Sequence, residues 1–112
     1  MDFQIESKQA SENWQVSLQG EIDIFNSPEL KKSLNELITK EKLDIYVDCK
    51  NLEYIDSTGL GALVGVLKNV KSHGKEIYLS NVKPSILKLF RITNLDKVFI
   101  MEATTVEEGK ND

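Results

Sequence analysis

Cysteine occurs once, at Cys49, and histidine once, at His73, in a chain of 112 residues. A single thiol closes no internal disulfide, and one cysteine with one histidine makes a poor ligand set for zinc or another transition metal. Neither a Gly-x-Ser-x-Gly elbow nor a Gly-Lys-Ser/Thr phosphate loop is present, which removes the usual signatures of serine hydrolases and nucleotide hydrolases. Basic charge is also in deficit: 14 Lys and Arg stand against 18 Asp and Glu, a net charge of -4. That is the wrong sign for a protein whose affinity comes from neutralising nucleic-acid phosphates. No apolar run approaches the ~18 residues of a membrane span. The opening Met1-Asp2-Phe3-Gln4-Ile5-Glu6 has neither a basic region nor a continuous apolar stretch, so no signal or transit peptide is expected and the cytoplasm is the expected compartment.

What remains is globular: 40% hydrophobic and 29% charged residues, enough for one domain over 1–112 with a core that needs no metal or disulfide. Phe3 and Ile5, then Trp14, Val16 and Leu18, alternate with polar residues across a polar turn, the pattern of an antiparallel hairpin. The stretch from Gly20 to Asn26 reads as a connection. Ser27-Pro28-Glu29 reads as N-cap, proline at N1 and acidic first turn of a helix carrying Leu30, Leu34, Leu37 and Ile38 and ending near Thr39 or Lys40. Ile45, Tyr46, Val47 and Cys49 make a buried strand. Leu60, Leu63, Val64, Leu67 and Val70 form the apolar stripe of a helix from Ser57 to about Ser72, with Gly74 as its stop. Ile77 and Leu79 mark a fourth strand, Pro84 opens a helix with Ile86, Leu87, Leu89 and Phe90, and Val98-Phe99-Ile100 a fifth strand. Thr104 or Thr105 caps a last short helix, and residues 107–112 are expected to fray. The order ββαβαβαβα predicts an α/β fold with a mixed, mostly parallel sheet of about five strands.

The chemistry concentrates at Ile55-Asp56-Ser57-Thr58-Gly59-Leu60-Gly61, where a serine stands at the start of a helix with a carboxylate just before it. Two readings are open for Ser57: an ordinary helix cap, or a hydroxyl that accepts a phosphate at the positive end of a helix dipole. As a catalytic nucleophile it lacks a base, because His73 lies 16 residues along the same helix, roughly 24 Å away at 1.5 Å per residue. Thr58, Gly61, Ala62, Gly65, Asn69 and Ser72 trace a small, uncharged strip beginning beside Ser57. It reads either as a docking face for a partner or as a site of close helix packing, since glycine inside a helix costs about 1 kcal/mol relative to alanine. Glu21, Asp23, Glu53 and Asp56 fall in loops at one end of the sheet. If strands two and three run the same way, the Asp23 and Ser57 loops share one surface; the alternative for Asp23 is simple satisfaction of turn amides. Cys49 reads as a small buried strand residue and His73 as a helix-end residue.

Asp56-Ser57-Thr58-Gly59-Leu60-Gly61, with Gly20-Glu21-Ile22-Asp23 upstream and Leu89-Phe90-Arg91-Ile92-Thr93 downstream, resembles the anti-sigma factor antagonists of the STAS domain family over nearly the whole chain. The likeness is greatest to antagonists serving the general stress factor sigma-B. The resemblance implies a single STAS domain with helices on one side of the sheet. It also implies a non-enzymatic partner switch: the unmodified protein binds an anti-sigma factor that is also a serine kinase, freeing a sigma factor, and phosphorylation of Ser57 abolishes binding until a serine phosphatase restores it. The partner-facing residues it implies are Asp23, Asp56, Ser57, Thr58, Gly59, Gly61, Ala62 and Gly65, with no cofactor, metal, membrane or direct nucleic-acid contact. Two other classes compete: a STAS-like module sensing a nucleotide or other small ligand without phosphorylation, and a small serine-dependent enzyme.

Overall fold

The computed structural model describes residues 2–102. Strand β1 (Phe3–Gln9) and strand β2 (Asn13–Ile22) form an antiparallel hairpin, with Phe3 opposite Gly20 and Gln9 opposite Trp14. Helix α1 (Ser27–Lys40) then returns the chain so that β3 (Asp44–Ile55) lies parallel to β2. Helix α2 (Ser57–Ser72) leads to β4 (Ile77–Ser80), and α3 (Pro84–Ile92) with a 3-10 turn (Leu95–Lys97) leads to β5 (Ile100–Met101). Both later strands add in parallel, so the sheet order is β1-β2-β3-β4-β5.

Alternation along the strands sends one set of side chains to the helices. Trp14, Val16 and Leu18 of β2, Ile45, Val47 and Cys49 of β3, and Ile77 and Leu79 of β4 are all buried. Against them lie Leu30, Leu34, Leu37 and Ile38 of α1, Leu60, Leu63, Val66, Leu67 and Val70 of α2, and Ile86 and Phe90 of α3. Val66 takes a core place that the sequence pattern assigned to Val64, which is only half-buried. The indole N–H of Trp14 donates to the Glu41 carbonyl at 3.0 Å, so the one tryptophan is buried and satisfied. On the face opposite the three described helices Tyr46 and Tyr78 stack with ring centroids 4.2 Å apart.

Several boundaries differ from the sequence expectation. The connection assigned to Gly20-Glu21-Ile22 is strand: Gly20 adopts φ +95°, and a Cβ there would sit 2.1 Å from the Asp2 carbonyl oxygen. A glycine lets β2 continue past the end of the hairpin. Helix α1 takes Asn26, not Ser27, as its N-cap residue, and Ser27 is the buried first residue of the helix. The fifth strand begins at Ile100, because Val98 and Phe99 both donate to the Leu95 carbonyl and close the 3-10 turn. Phe99 instead enters the core edge-on to Phe90, with centroids 5.6 Å apart. The short helix expected from Thr104 or Thr105 and the 107–112 tail lie outside the described residues.

Candidate functional site

Parallel β2 and β3 finish together: Glu21 lies opposite Tyr54 and Ile22 opposite Ile55. One residue later the Asp56 amide donates to the Ile22 carbonyl at 3.2 Å. The loop carrying Asp23 and the turn carrying Ser57 are therefore adjacent at the carboxyl edge of the sheet, the place where parallel sheets leave strand ends open for ligands or partners.

The helix cap is Asp56, not Ser57. Asp56 is extended (φ -105°, ψ -172°), and its Oδ1 accepts from the amides of Thr58 at 3.0 Å and Gly59 at 3.1 Å, and from the Thr58 hydroxyl. At this position the charged Asp56 acceptor meets the amides at the positive end of the helix dipole. Its carboxyl is accordingly held below the ordinary carboxylate range, chiefly by the Thr58 hydroxyl, against an opposing effect of burial that is second in size, with the Gly59 and then the Thr58 amide adding to the lowering. Ser57, displaced to the first helical position, is exposed, and its hydroxyl has no hydrogen-bond partner among the described residues. Thr58 is half-buried with its hydroxyl committed to Asp56.

The small-residue strip does not form one surface. Gly59 is buried, and a Cβ on it would come within 2.6 Å of Ile55 Cγ1 and 2.7 Å of Ile22 Cγ2, so this glycine seats the first turn of α2 directly on the two strand ends. Gly61 is exposed with open space where a Cβ would go. Ala62 is buried in the core. Gly65 faces α1, where a Cβ would meet Lys31 Cε at 2.8 Å, and Asn69 donates to Asn35 Oδ1 of α1 at 2.9 Å. Within the strip Ala62 packs in the core and Gly65 and Asn69 face α1, whereas Gly61, like the neighbouring Ser57, is open to solvent.

Asp23 braces its own loop. Its Oδ1 accepts from the amides of Phe25 at 2.9 Å and Asn26 at 3.2 Å, while Asn26 Oδ1 accepts from the Asp23 amide at 2.8 Å and Asn26 Nδ2 donates to the Glu21 carbonyl at 2.8 Å. The braced loop holds Ile24 and Phe25 outward, 61% and 89% exposed. Sequence reasoning passed over both, although two large apolar residues in a predicted loop were the available signal. Glu53 lies on β3 with its carboxylate 3.9 Å from the Lys83 ammonium.

Cys49 lies on β3 within the core, where burial first and Asp48 second push its thiol up to about 12. His73 closes the far end of α2 from Ser57. Among the described residues no group of three His, Cys, Asp or Glu side chains is placed to hold a metal, and no helix is long and apolar enough to cross a membrane.

Known proteins match over nearly the full chain. An anti-sigma-B factor antagonist of Staphylococcus aureus is 39% identical over 108 residues, 96% of this chain and 100% of that protein. A candidate anti-sigma factor antagonist of Thermotoga maritima superposes with a TM-score of 0.81 at 25% identity, covering 94% of this chain and 90% of that one. The phosphorylated form of the Bacillus cell fate determinant SpoIIAA shares the fold, with a TM-score of 0.71, 24% identity and 96% of both chains covered. The STAS domain profile matches residues 4–108. With its mixed sheet, its helices on one face and the Asp56-capped turn at the sheet's carboxyl edge, the chain belongs to the STAS domain family.

Proposed function

We propose that this chain is an anti-sigma factor antagonist that works by partner switching at Ser57. In its unmodified state it docks an anti-sigma factor serine kinase and so frees a sigma factor; the kinase phosphorylates Ser57 with ATP, docking is lost, and a serine phosphatase resets the protein. The observation that carries this reading is the position of Ser57. Its hydroxyl is exposed and unengaged at the start of α2, while the capping work falls to Asp56 and the neighbouring hydroxyl, Thr58, is occupied. The S. aureus relative is an anti-sigma-B factor antagonist, which supports the assignment of partner.

The docking surface comprises Ser57 and Gly61 of α2 with the apolar pair Ile24 and Phe25 of the neighbouring loop. Asp56, Thr58, Gly59 and Asp23 build that surface from beneath. A phosphate adds about -1.5 to -2 charges, and two unit charges 4 Å apart at an effective dielectric near 20 interact by about 4 kcal/mol. Moving a complex from mostly bound to mostly free takes about 5.5 kcal/mol. Repulsion from an acidic group on the partner, added to the cost of burying a dianion, reaches that range without refolding. The helix dipole at the start of α2 meanwhile makes the modified serine acceptable to the fold itself.

The test is incubation of wild type and Ser57→Ala with ATP and the cognate anti-sigma factor kinase. Wild type should incorporate one phosphate and lose the complex; Ser57→Ala should stay unlabelled and remain bound. Equal affinity of the phosphorylated and unmodified protein for that kinase would overturn the reading.

A further inference from the structure

Among the described residues nothing pairs with the outer edge of β1, and the charge order along it specifies what can. The β1–β2 hairpin is in regular register from Phe3 opposite Gly20 to Gln9 opposite Trp14, with no bulge. At its two ends the Ala10 amide donates to the Asn13 carbonyl and the Glu21 amide to the Asp2 carbonyl. In an antiparallel ladder bonded positions alternate, so the even-numbered residues Gln4, Glu6 and Lys8 bond to β2. Phe3, Ile5, Ser7 and Gln9 consequently aim their N–H and C=O groups away from the sheet. Strand β1 is terminal in the sheet order, and its residues 6–9 are all exposed. The strand contains no proline, and its only charged residues are Glu6 and Lys8, neither of which has an ion-pair partner among the described residues.

We infer that β1 pairs antiparallel with β1 of a second copy of this chain, about a twofold axis through Ser7, joining the two sheets into one. Only residues of like parity can face each other across such an axis, which leaves few registers. Centring on Glu6 or on Lys8 places like charges opposite one another, and centring on Ile5 sets Glu6 against Gln4. Centring on Ser7 sets Glu6 against Lys8 of the second copy and Lys8 against its Glu6. These are non-hydrogen-bonded positions, where cross-strand side chains approach most closely. Ser7 then exchanges both backbone hydrogen bonds with Ser7 of the second copy, and Ile5 does so with Gln9 of the second copy. This converts a free edge, ordinarily a liability, into a closed, self-complementary contact. Because the paired strands run oppositely, the two Ser57 turns lie at opposite ends of the joined sheet, and both stay open to partners.

The experiment is light scattering and sedimentation of the full chain over a concentration series, with variants chosen from the backbone geometry. Ser7→Pro removes an N–H that β2 does not use, so the hairpin is retained while the outer ladder is broken. Wild type should form a dimer that dissociates on dilution, and Ser7→Pro should remain monomeric with an unchanged circular dichroism spectrum. Glu6→Lys should raise the dimer dissociation constant at least about tenfold, and Glu6→Lys combined with Lys8→Glu should restore it. A wild type that is monomeric at every concentration overturns the inference. So does a Ser7→Pro protein that dimerises like wild type, or a charge reversal without effect.

Discussion

The Asp56 amide and the Ile22 carbonyl, 3.2 Å apart, join the ends of two parallel strands at the point where each gives way to a helix-entry loop. Through that bond a braced apolar loop and an exposed serine become one surface, although 34 positions separate the two residues in sequence. Immediately beyond it the Asp56 side chain caps α2. Asp56→Ala should lower the melting temperature by about 5 °C, the ordinary effect of losing an N-cap in a domain of this size, whereas Asp56→Asn should retain most of the cap. The folded-state pKa of Asp56 is depressed, so the ionised cap contributes above the unfolded-chain pKa and its contribution is lost as pH falls through the lower folded value. Thermal melts from neutral pH into the acid range should show the gap between wild type and Asp56→Ala closing on acidification.

Ser57→Asp separates charge from the full phosphate. A carboxylate carries one charge and fewer acceptors, so binding to the anti-sigma factor should weaken by about tenfold, less than the loss on phosphorylation. Isothermal titration of Ser57→Ala, Ser57→Asp and phosphorylated protein should rank them in that order. Equal affinity of all three would remove electrostatics as the switch.

Phe25 is 89% exposed in a loop held by Asp23 and Asn26. Phe25→Ala removes no buried contact and should leave stability within about 0.5 kcal/mol. As an exposed aromatic anchor at the proposed docking surface, its loss should weaken partner binding by more than about tenfold. Asp23→Ala should also weaken binding, with a measurable fall in loop protection by amide exchange, because it releases the amides of Phe25 and Asn26. Binding by Phe25→Ala indistinguishable from wild type would exclude the loop from the contact.

The order of elements and the run of α2 could be read from periodicity because Leu60, Leu63, Leu67 and Val70 repeat at helical spacing and Gly74 supplies the positive φ that ends the segment. The strand ends near the site were less legible. Gly20 looked like a turn residue, yet here it permits close approach of the Asp2 carbonyl inside a strand, a tertiary fact with no local signature. The capping reading left open for Ser57 belongs to Asp56: Asp and Ser are both favoured N-caps, and only the backbone of Asp56 decides between them. The small strip beside Ser57 divided for a similar reason. Spacing shows that Gly61 and Gly65 share a helix, but not that α1 lies over one and leaves the other free.

Cys49 offers a probe of global opening. Its thiol is buried on β3 and pushed up to about 12, so the reactive thiolate is scarce and shielded at neutral pH. Alkylation of the native protein should proceed no faster than unfolding, measured by mass spectrometry alongside amide exchange of β3. Rapid labelling of folded protein would show that the strand opens locally.

Gly59 and Gly61, two residues apart, should respond in opposite ways to the same methyl group. On Gly59 a Cβ would meet Ile55 and Ile22 below 3 Å, so these packed core side chains or the first turn of α2 must shift. Gly59→Ala should therefore cost about 1–3 kcal/mol and lower partner affinity only in proportion to the misplacement of Ser57. On Gly61 the methyl meets nothing, so Gly61→Ala should raise stability by up to about 1 kcal/mol through helix propensity. If a partner lies against that face, the methyl that stabilises the free protein obstructs the complex, and affinity falls while the melting temperature rises. Denaturant unfolding and titration with the anti-sigma factor, run on both variants, read the two effects separately. A Gly61→Ala protein that is more stable and binds undiminished would place the partner elsewhere on α2.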